Sequence, residues 1–252
     1  MEYLLFYIVH VLKMIVEIAS FLFLRERNVV SLKVSLITGG DFHMKWIQMP
    51  LGPLQTNAYI LMNDQKECII FDPGHEGEKL VTYLQEEQLK PLAVLLTHAH
   101  FDHIGAVDAV RDTFHIPVYV HKEEADWLGD ATVNGSQIFM MNRSITAKPA
   151  DHIIDAEGTL TIGSFNFEIF ETPGHSPGSI SYYSKEANAV FSGDVLFQMS
   201  IGRTDLPGGS FAELIGSIEE KLFVLPDETA VLCGHGPETS IGFEKENNPF
   251  LQ

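Results

Sequence analysis

Residues 97–106, THAHFDHIGA, constrain this chain more than any other stretch. A short apolar run at 92–96 leads into them, and His98, His100, Asp102 and His103 then fall within six positions. A hydrophobic run that ends abruptly in clustered ligand-type side chains reads as a strand delivering a site at its end. Imidazole and carboxylate donors suit zinc, and with oxygen donors also iron or manganese. Side chains alternate along extended backbone, so His98 and His100 project to one side. Asp102 and His103 follow at the turn and can serve a second metal. A lone His in a polar loop is usually an ordinary loop residue, but three His and an Asp at this spacing point to a site.

Three later stretches repeat the theme of strand, small residue and ligand-type side chain. Residues 173–178 (PGHSPG) place His175 in a tight turn after an apolar strand, Ser192-Gly193 precede Asp194, and Cys233-Gly234 precede His235. Glycine lets the backbone turn sharply and brings such ends together. Converging on one edge, these segments supply His98, His100, His103, His175 and His235 with Asp102 and Asp194. That is enough for two divalent metal ions, with Asp194 able to bridge them. Asp72, after Ile69-Ile70-Phe71, reads equally as an ordinary turn residue or as an acid that orients a metal-binding loop.

Between the sites the pattern alternates. Strands are predicted at 46–51, 58–62, 68–71, 93–96 and 117–120, then at 160–162, 165–170, 180–183, 189–191 and 230–232. Helices are predicted at 78–89, 104–114, 123–128 and 210–222, the last with a Ser210/Glu213 capping box. Residues 129–150 read as a long loop shaping a cleft, with Met140 and Met141 packing in it. The two similar successions imply an α/β fold of two halves packed through their sheets, with helices outside.

Cys68 and Cys233 each sit in an apolar run and read as buried free thiols. With no disulfide framework, a reducing, cytoplasmic setting fits best. The formal charge of −18 over 252 residues counts against nucleic acid as a partner. Residues 1–43 form an apolar extension before a domain at 44–252. Residues 3–24 have the length of a membrane span, but His10, Lys13 and Glu17 interrupt them. The extension is either a membrane-associated segment or not part of the native protein, with Met44 the true start. The second reading is favoured, because strand sequence begins at Met44.

HAHFDH, PGHSPGS, SGD and GHG in that order resemble the metallo-β-lactamase-fold hydrolases from about Met44 to the C-terminus. Within them the chain looks like the short, single-domain glyoxalase II (hydroxyacylglutathione hydrolase)-like proteins. Residues 202–209 (GRTDLPGG), 234–239 (GHGPET) and Asn248-Pro249-Phe250 support this. The resemblance implies an αββα sandwich. It implies one metal on His98, His100, His175 and Asp194, and another on Asp102, His103, His235 and Asp194. Zinc is the first expectation, with iron or manganese as alternatives. The implied activity is cleavage of a small-molecule acyl thioester by a metal-bound hydroxide that Asp102 holds and orients. The chain ends soon after His235, without the C-terminal helical region that helps the long glyoxalase II enzymes bind glutathione. Residues 202–205 also resemble the persulfide dioxygenases, which use one iron on the same fold.

Overall fold

Most central strands of this chain are apolar on both faces, so each sheet has to be covered on both sides. The computed structural model describes residues 31–33, 44–140 and 144–252. One sheet has seven strands in sequence order: β1 (Ser31–Lys33), β2 (Lys45–Leu51), β3 (Thr56–Met62), β4 (Glu67–Phe71), β5 (Lys90–Leu95), β6 (Val118–His121) and β7 (His152–Ile154). The other has six, from β8 (Gly158–Ile162) through β9 (Phe165–Glu171), β10 (Ile180–Ser184), β11 (Ala189–Gly193) and β14 (Ala230–Cys233) to β15 (Thr239–Ser240). A small hairpin pairs β12 (Leu196–Phe197) with β13 (Ser200–Ile201).

Strand alternation sorts the core into three layers. On β3, Ala58 and Ile60 face one way, into a cluster with Leu80, Tyr83 and Leu84 of α1 (Gly77–Glu86). Tyr59 and Leu61 face the other way, into the layer between the sheets with Phe165, Phe167, Tyr182 and Phe191. On β11, Phe191 joins this central layer while Val190 packs outward against Leu214, Ile218 and Ile241. Phe71 and Phe191 stack across the sheets with ring centroids 3.8 Å apart. Each large side chain buried in this way contributes about 1.5–3 kcal/mol relative to exposure. The result is the αββα sandwich that the resemblance implies. Cys68 and Cys233 are buried and free, as the apolar runs around them predict.

Strand direction places the site. β4 and β5 are parallel, and so are β11 and β14. β9 is antiparallel to β10, and β10 to β11, so β9 runs the same way as β11. Asp72 and 97–103 therefore leave the carboxyl ends of one sheet, and His175, Asp194 and His235 leave those of the other. Close approach there demands glycine. A Cβ on Gly234 would lie 2.1 Å from Asp194 Oδ1 and 2.8 Å from His103 Cε1.

Several elements differ from the sequence expectation. The helix predicted at 104–114 is broken into α2 (Phe101–Ile104) and α3 (Val107–Phe114). The break lets Ala106 donate its N–H to Pro73 O at 2.8 Å, and a Cβ on Gly105 would meet Gly74 O at 2.4 Å. The histidine loop thus packs against the turn after β4. Lys122–Gly129 is a 3-10 helix, and the loop predicted at 129–150 contains a helical turn, α4 (Ser136–Phe139). Met141 lies outside the described residues. The helix predicted at 210–222 is α5 (Phe211–Ser217) continued by a π-helical turn, Ile218–Leu222, and Ser210 Oγ accepts the Glu213 N–H at its start. β1, β7, β12, β13, β15 and the last helix, α6 (Ile241–Asn247), differ from the sequence expectation by being present at all; all are short.

The backbone of β1 pairs antiparallel with β2, Ser31 opposite Gln48 and Lys33 opposite Trp46. The rest of 1–43, and with it the reading of that segment as an extension, lies outside the described residues. Among the described residues no helix is long and apolar enough to cross a membrane.

Candidate metal centre

The turn after β5 is fixed by its neighbour strand. Asp72, at the end of β4 in a left-handed conformation (φ 45°), accepts Thr97 N–H at 2.8 Å on Oδ1 and the Thr97 hydroxyl at 2.6 Å on Oδ2. The same Oδ2 accepts His103 Nδ1–H at 3.0 Å. Of the two readings the sequence leaves open for Asp72, the acid that orients the loop is the one its three bonds support. Thr97 Oγ1, having given its proton to Asp72, accepts from His98 Nδ1 at 3.1 Å. His175 Nδ1 donates to Arg203 O at 2.9 Å, and His235 Nδ1 to Leu54 O at 3.2 Å. In all four rings Nδ1 donates outward, so Nε2 is the atom turned to the interior, where a metal would use its lone pair.

These interior atoms converge. His98, His100 and His175 form one group, and Asp102, His103 and His235 another, the donor atoms within each lying within 4.8 Å of one another. Asp194 lies between the groups. Its Oδ2 is 3.6 Å from His175 Nε2 and 3.5 Å from His235 Nε2, and its Oδ1 is 3.4 Å from His103 Nε2. Asp102 Oδ2 is 3.2 Å from His235 Nε2 and accepts the Thr56 hydroxyl at 2.7 Å. All seven residues singled out from the sequence thus meet in one place. A third grouping, Asp72 with His98 and His103, is also close enough, but Asp72 already spends both oxygens on Thr97 and His103.

The donor chemistry fits divalent metal. His98 Nε2, His103 Nε2 and Asp194 Oδ1 are buried without a hydrogen-bond partner, a costly arrangement unless an ion takes their lone pairs. His100 Nδ1 and His175 Nε2 face each other at 2.9 Å, although His175 Nε2 has no proton to offer. Burial first, then neighbouring imidazoles, holds His98 well below the usual histidine range. Burial likewise takes His100 down to about 3 and lowers His175. The three-histidine group is therefore neutral. In the second group burial opposes charge but loses. Asp102, Asp194 and Asp72 raise His103, and hydrogen bonds to Asp102 and Asp194 raise His235 to about 9. Burial also works against ionising the two acids, yet His103 and His235 bring Asp102 to about 2 and Asp194 well below its ordinary value. Without metal, protons on His103 and His235 occupy the cation's place.

The centre forms the floor of a cavity of about 390 Å³, a size suited to a small-molecule ligand. Leu54, Phe101, Phe139, Phe197, Ile201 and Leu206 give it apolar walls. Arg203, also on the lining, is held by Asp205 through bonds of 2.7 and 2.8 Å. Sequence reasoning missed Thr56 and Thr97, and the buried Glu124, which bonds to Ala99 and Gly178. Thr97 directly precedes His98 and was open to notice. Thr56 and Glu124 carry no local signal, since only the fold brings them near.

The profile of the family described as the Metallo-beta-lactamase superfamily matches residues 51–235. A Bacillus subtilis (strain 168) protein named probable metallo-hydrolase YqgX is 58% identical over 208 residues, 82% of this chain and 98% of that one. The Haemophilus influenzae hydroxyacylglutathione hydrolase GloC is 39% identical over 81% of this chain and 96% of its own. A crystal structure described as BLEG-1 B3 metallo-beta-lactamase superposes with a TM-score of 0.81 at 61% identity, covering 82% of this chain and 99% of that one. With the ligand-bearing segments, the two-sheet architecture and these relatives in agreement, the chain belongs to the metallo-beta-lactamase superfamily.

Proposed function

We propose that this metallo-hydrolase is a dinuclear enzyme that cleaves an acyl thioester, such as a hydroxyacyl-glutathione or a related thiol ester. The observation that carries the reading is the convergence of seven ligand-type side chains, five of which line a small-molecule cavity while His98 and His103 lie buried behind them. His98, His100 and His175 would hold one ion, Asp102, His103 and His235 the other, and Asp194 reaches both. Divalent ions there, zinc first and iron or manganese as alternatives, supply a water of lowered pKa and a Lewis acid for a carbonyl oxygen.

The chain's own residues supply the rest. Asp102 stays ionised at neutral pH and is held by Thr56, so it can accept a hydrogen bond from the attacking water and fix its direction. The apolar walls would limit the contact of a bound substrate's carbonyl with bulk water. A thiol leaves as a thiolate with a pKa of about 8.5, so the site needs no separate general acid. The similarity to GloC supports a thioester. A small-molecule substrate and a cytoplasmic setting belong to the same proposal, and nucleic acid is not expected as a partner.

A second reading, hydrolysis of a β-lactam amide, has one observation in its favour: the 61% identity to the chain described as a B3 metallo-beta-lactamase. An amine is a poorer leaving group than a thiolate, and among the described residues lining the cavity the acids and histidines are all candidate metal ligands rather than a separate acid to protonate it. The test is turnover of several acyl thioesters and of a chromogenic β-lactam by one purified sample, with its metal content measured. Thioester turnover well above lactam turnover, with about two ions per chain, is expected. The reverse order would give the lactam reading. A single iron with oxygen consumption on a persulfide would replace hydrolysis altogether.

A further inference from the structure

Glu124 lies in the 3-10 helix Lys122–Gly129, outside every ligand-bearing segment, and is completely buried (0% exposed). Its Oε2 accepts Ala99 N–H at 2.5 Å and its Oε1 accepts Gly178 N–H at 2.8 Å. Ala99 sits between His98 and His100, and Gly178 lies three residues after His175. One carboxylate thus joins the two segments that deliver the three-histidine group. The contact is close-built: a Cβ on Gly178 would fall 2.7 Å from Glu124 Cγ. The other group is held by different partners, Asp72 on His103, Thr56 on Asp102 and Leu54 O on His235.

We propose that Glu124 is a positioning residue that sets the metal affinity of the His98, His100 and His175 group selectively. The proposal rests on the metal-centre reading above. A carboxylate offers only acceptors, which is what two inward-pointing backbone N–H groups require. A glutamine of the same size must turn its NH2 toward one of them, so one segment loses its anchor. The buried negative charge, one residue from two of the ligands, is lost as well.

The test uses the full chain, stripped of metal and titrated with Co²⁺ alone, with ligand-field absorption as the readout. His100→Ala and His235→Ala assign the two binding steps. Loss of an outer partner of a metal ligand typically costs about 10–100-fold in affinity, so Glu124→Gln is expected to weaken the three-histidine step by that factor and leave the other step nearly unchanged. Glu124→Asp keeps the charge but reaches only one amide, and falls between. Equal weakening of both steps, or no change in either, overturns the proposal. Failure of both variants to fold assigns Glu124 to the general architecture and overturns it too. If the wild-type chain itself shows no cobalt on the three histidines, the metal-centre reading fails first, and the wild-type titration alone reveals it.

Discussion

Replacing Asp72 by asparagine isolates the effect of one orienting carboxylate on His103, whose Nδ1 it holds while Nε2 faces the metal position. Asparagine tolerates the left-handed backbone at this position, where φ is 45°. The cost therefore falls on the three hydrogen bonds, from Thr97 N, Thr97 Oγ1 and His103 Nδ1. With the amide oxygen toward Thr97 N–H, the NH2 faces His103 Nδ1. Nδ1 must then become the acceptor, the ring proton moves to Nε2, and the lone pair the metal needs is gone. With the amide reversed, the NH2 faces Thr97 N–H and leaves a buried donor unpaired, which costs about 1–3 kcal/mol of stability. The chain takes the cheaper orientation, so the loss appears in metal affinity, in stability, or divided between them. An affinity loss of about 10–100-fold corresponds to about 1.4–2.7 kcal/mol. A stability loss would lower Tm by about 2–4 °C per kcal/mol in a chain of this size. Metal titration and thermal melting of the metal-free protein, run on the same preparation, measure both parts. An Asp72→Asn variant that keeps wild-type affinity and an unchanged Tm would refute the tautomer argument.

Asp194→Ala is expected to lose the most metal and nearly all turnover, because its two oxygens face both groups. His175→Ala and His235→Ala each lose mainly one ion, and elemental analysis of the three purified variants gives the order. The pH dependence follows from the opposed shifts. His235 is raised to about 9 from 6.5, so its contribution to the stability of the metal-free protein is complete below about pH 6.5 and is lost as pH rises through about 9. Metal must displace that proton, so affinity at the Asp102, His103 and His235 group strengthens up to about pH 9. Affinity at the neutral three-histidine group stays nearly level over the same range; cobalt titrations across it check both slopes, and parallel slopes would contradict the charge assignment. A chain beginning at Met44 is expected to fold and keep its turnover, since the described core clusters are built from Met44 onward. Loss of solubility or turnover on removing 1–43 would show that the segment, including the strand that pairs with Lys45–Leu51, is needed.

The candidate ligands were legible because most of them announce themselves locally. An apolar strand, a small residue and an imidazole or carboxylate occur in that order at His98, His175, Asp194 and His235, whatever the fold does around them. The sandwich was legible for a similar reason. Strands such as Cys68–Phe71 and Ala189–Phe191 have no polar face, so two sheets must cover each other and helices must cover them both. The short elements were not legible: Leu196–Phe197 and Thr239–Ser240 are too brief to show a period, and they exist because neighbouring strands offer partners.

Protonation and orientation at the centre lay equally outside the sequence. Spacing assigns His98 and His103 to different metals but gives no difference in their protonation. The fold gives His98 a buried neutral setting among other imidazoles, and surrounds His103 with Asp72, Asp102 and Asp194. Thr56, 46 residues from Asp102, and Glu124, 54 residues from Gly178, touch the site only because strands and turns distant in sequence are packed side by side. Which donors the chain carries, and their place at strand ends, can be read from neighbouring residues, because donor type and hydrophobic pattern are local properties. Which nitrogen of each ring faces inward, which histidines are driven toward the charged form without metal, and which carboxylates hold the candidate ligands in place come from the packed chain, because hydrogen bonding, desolvation and Coulomb interaction depend on distance in space.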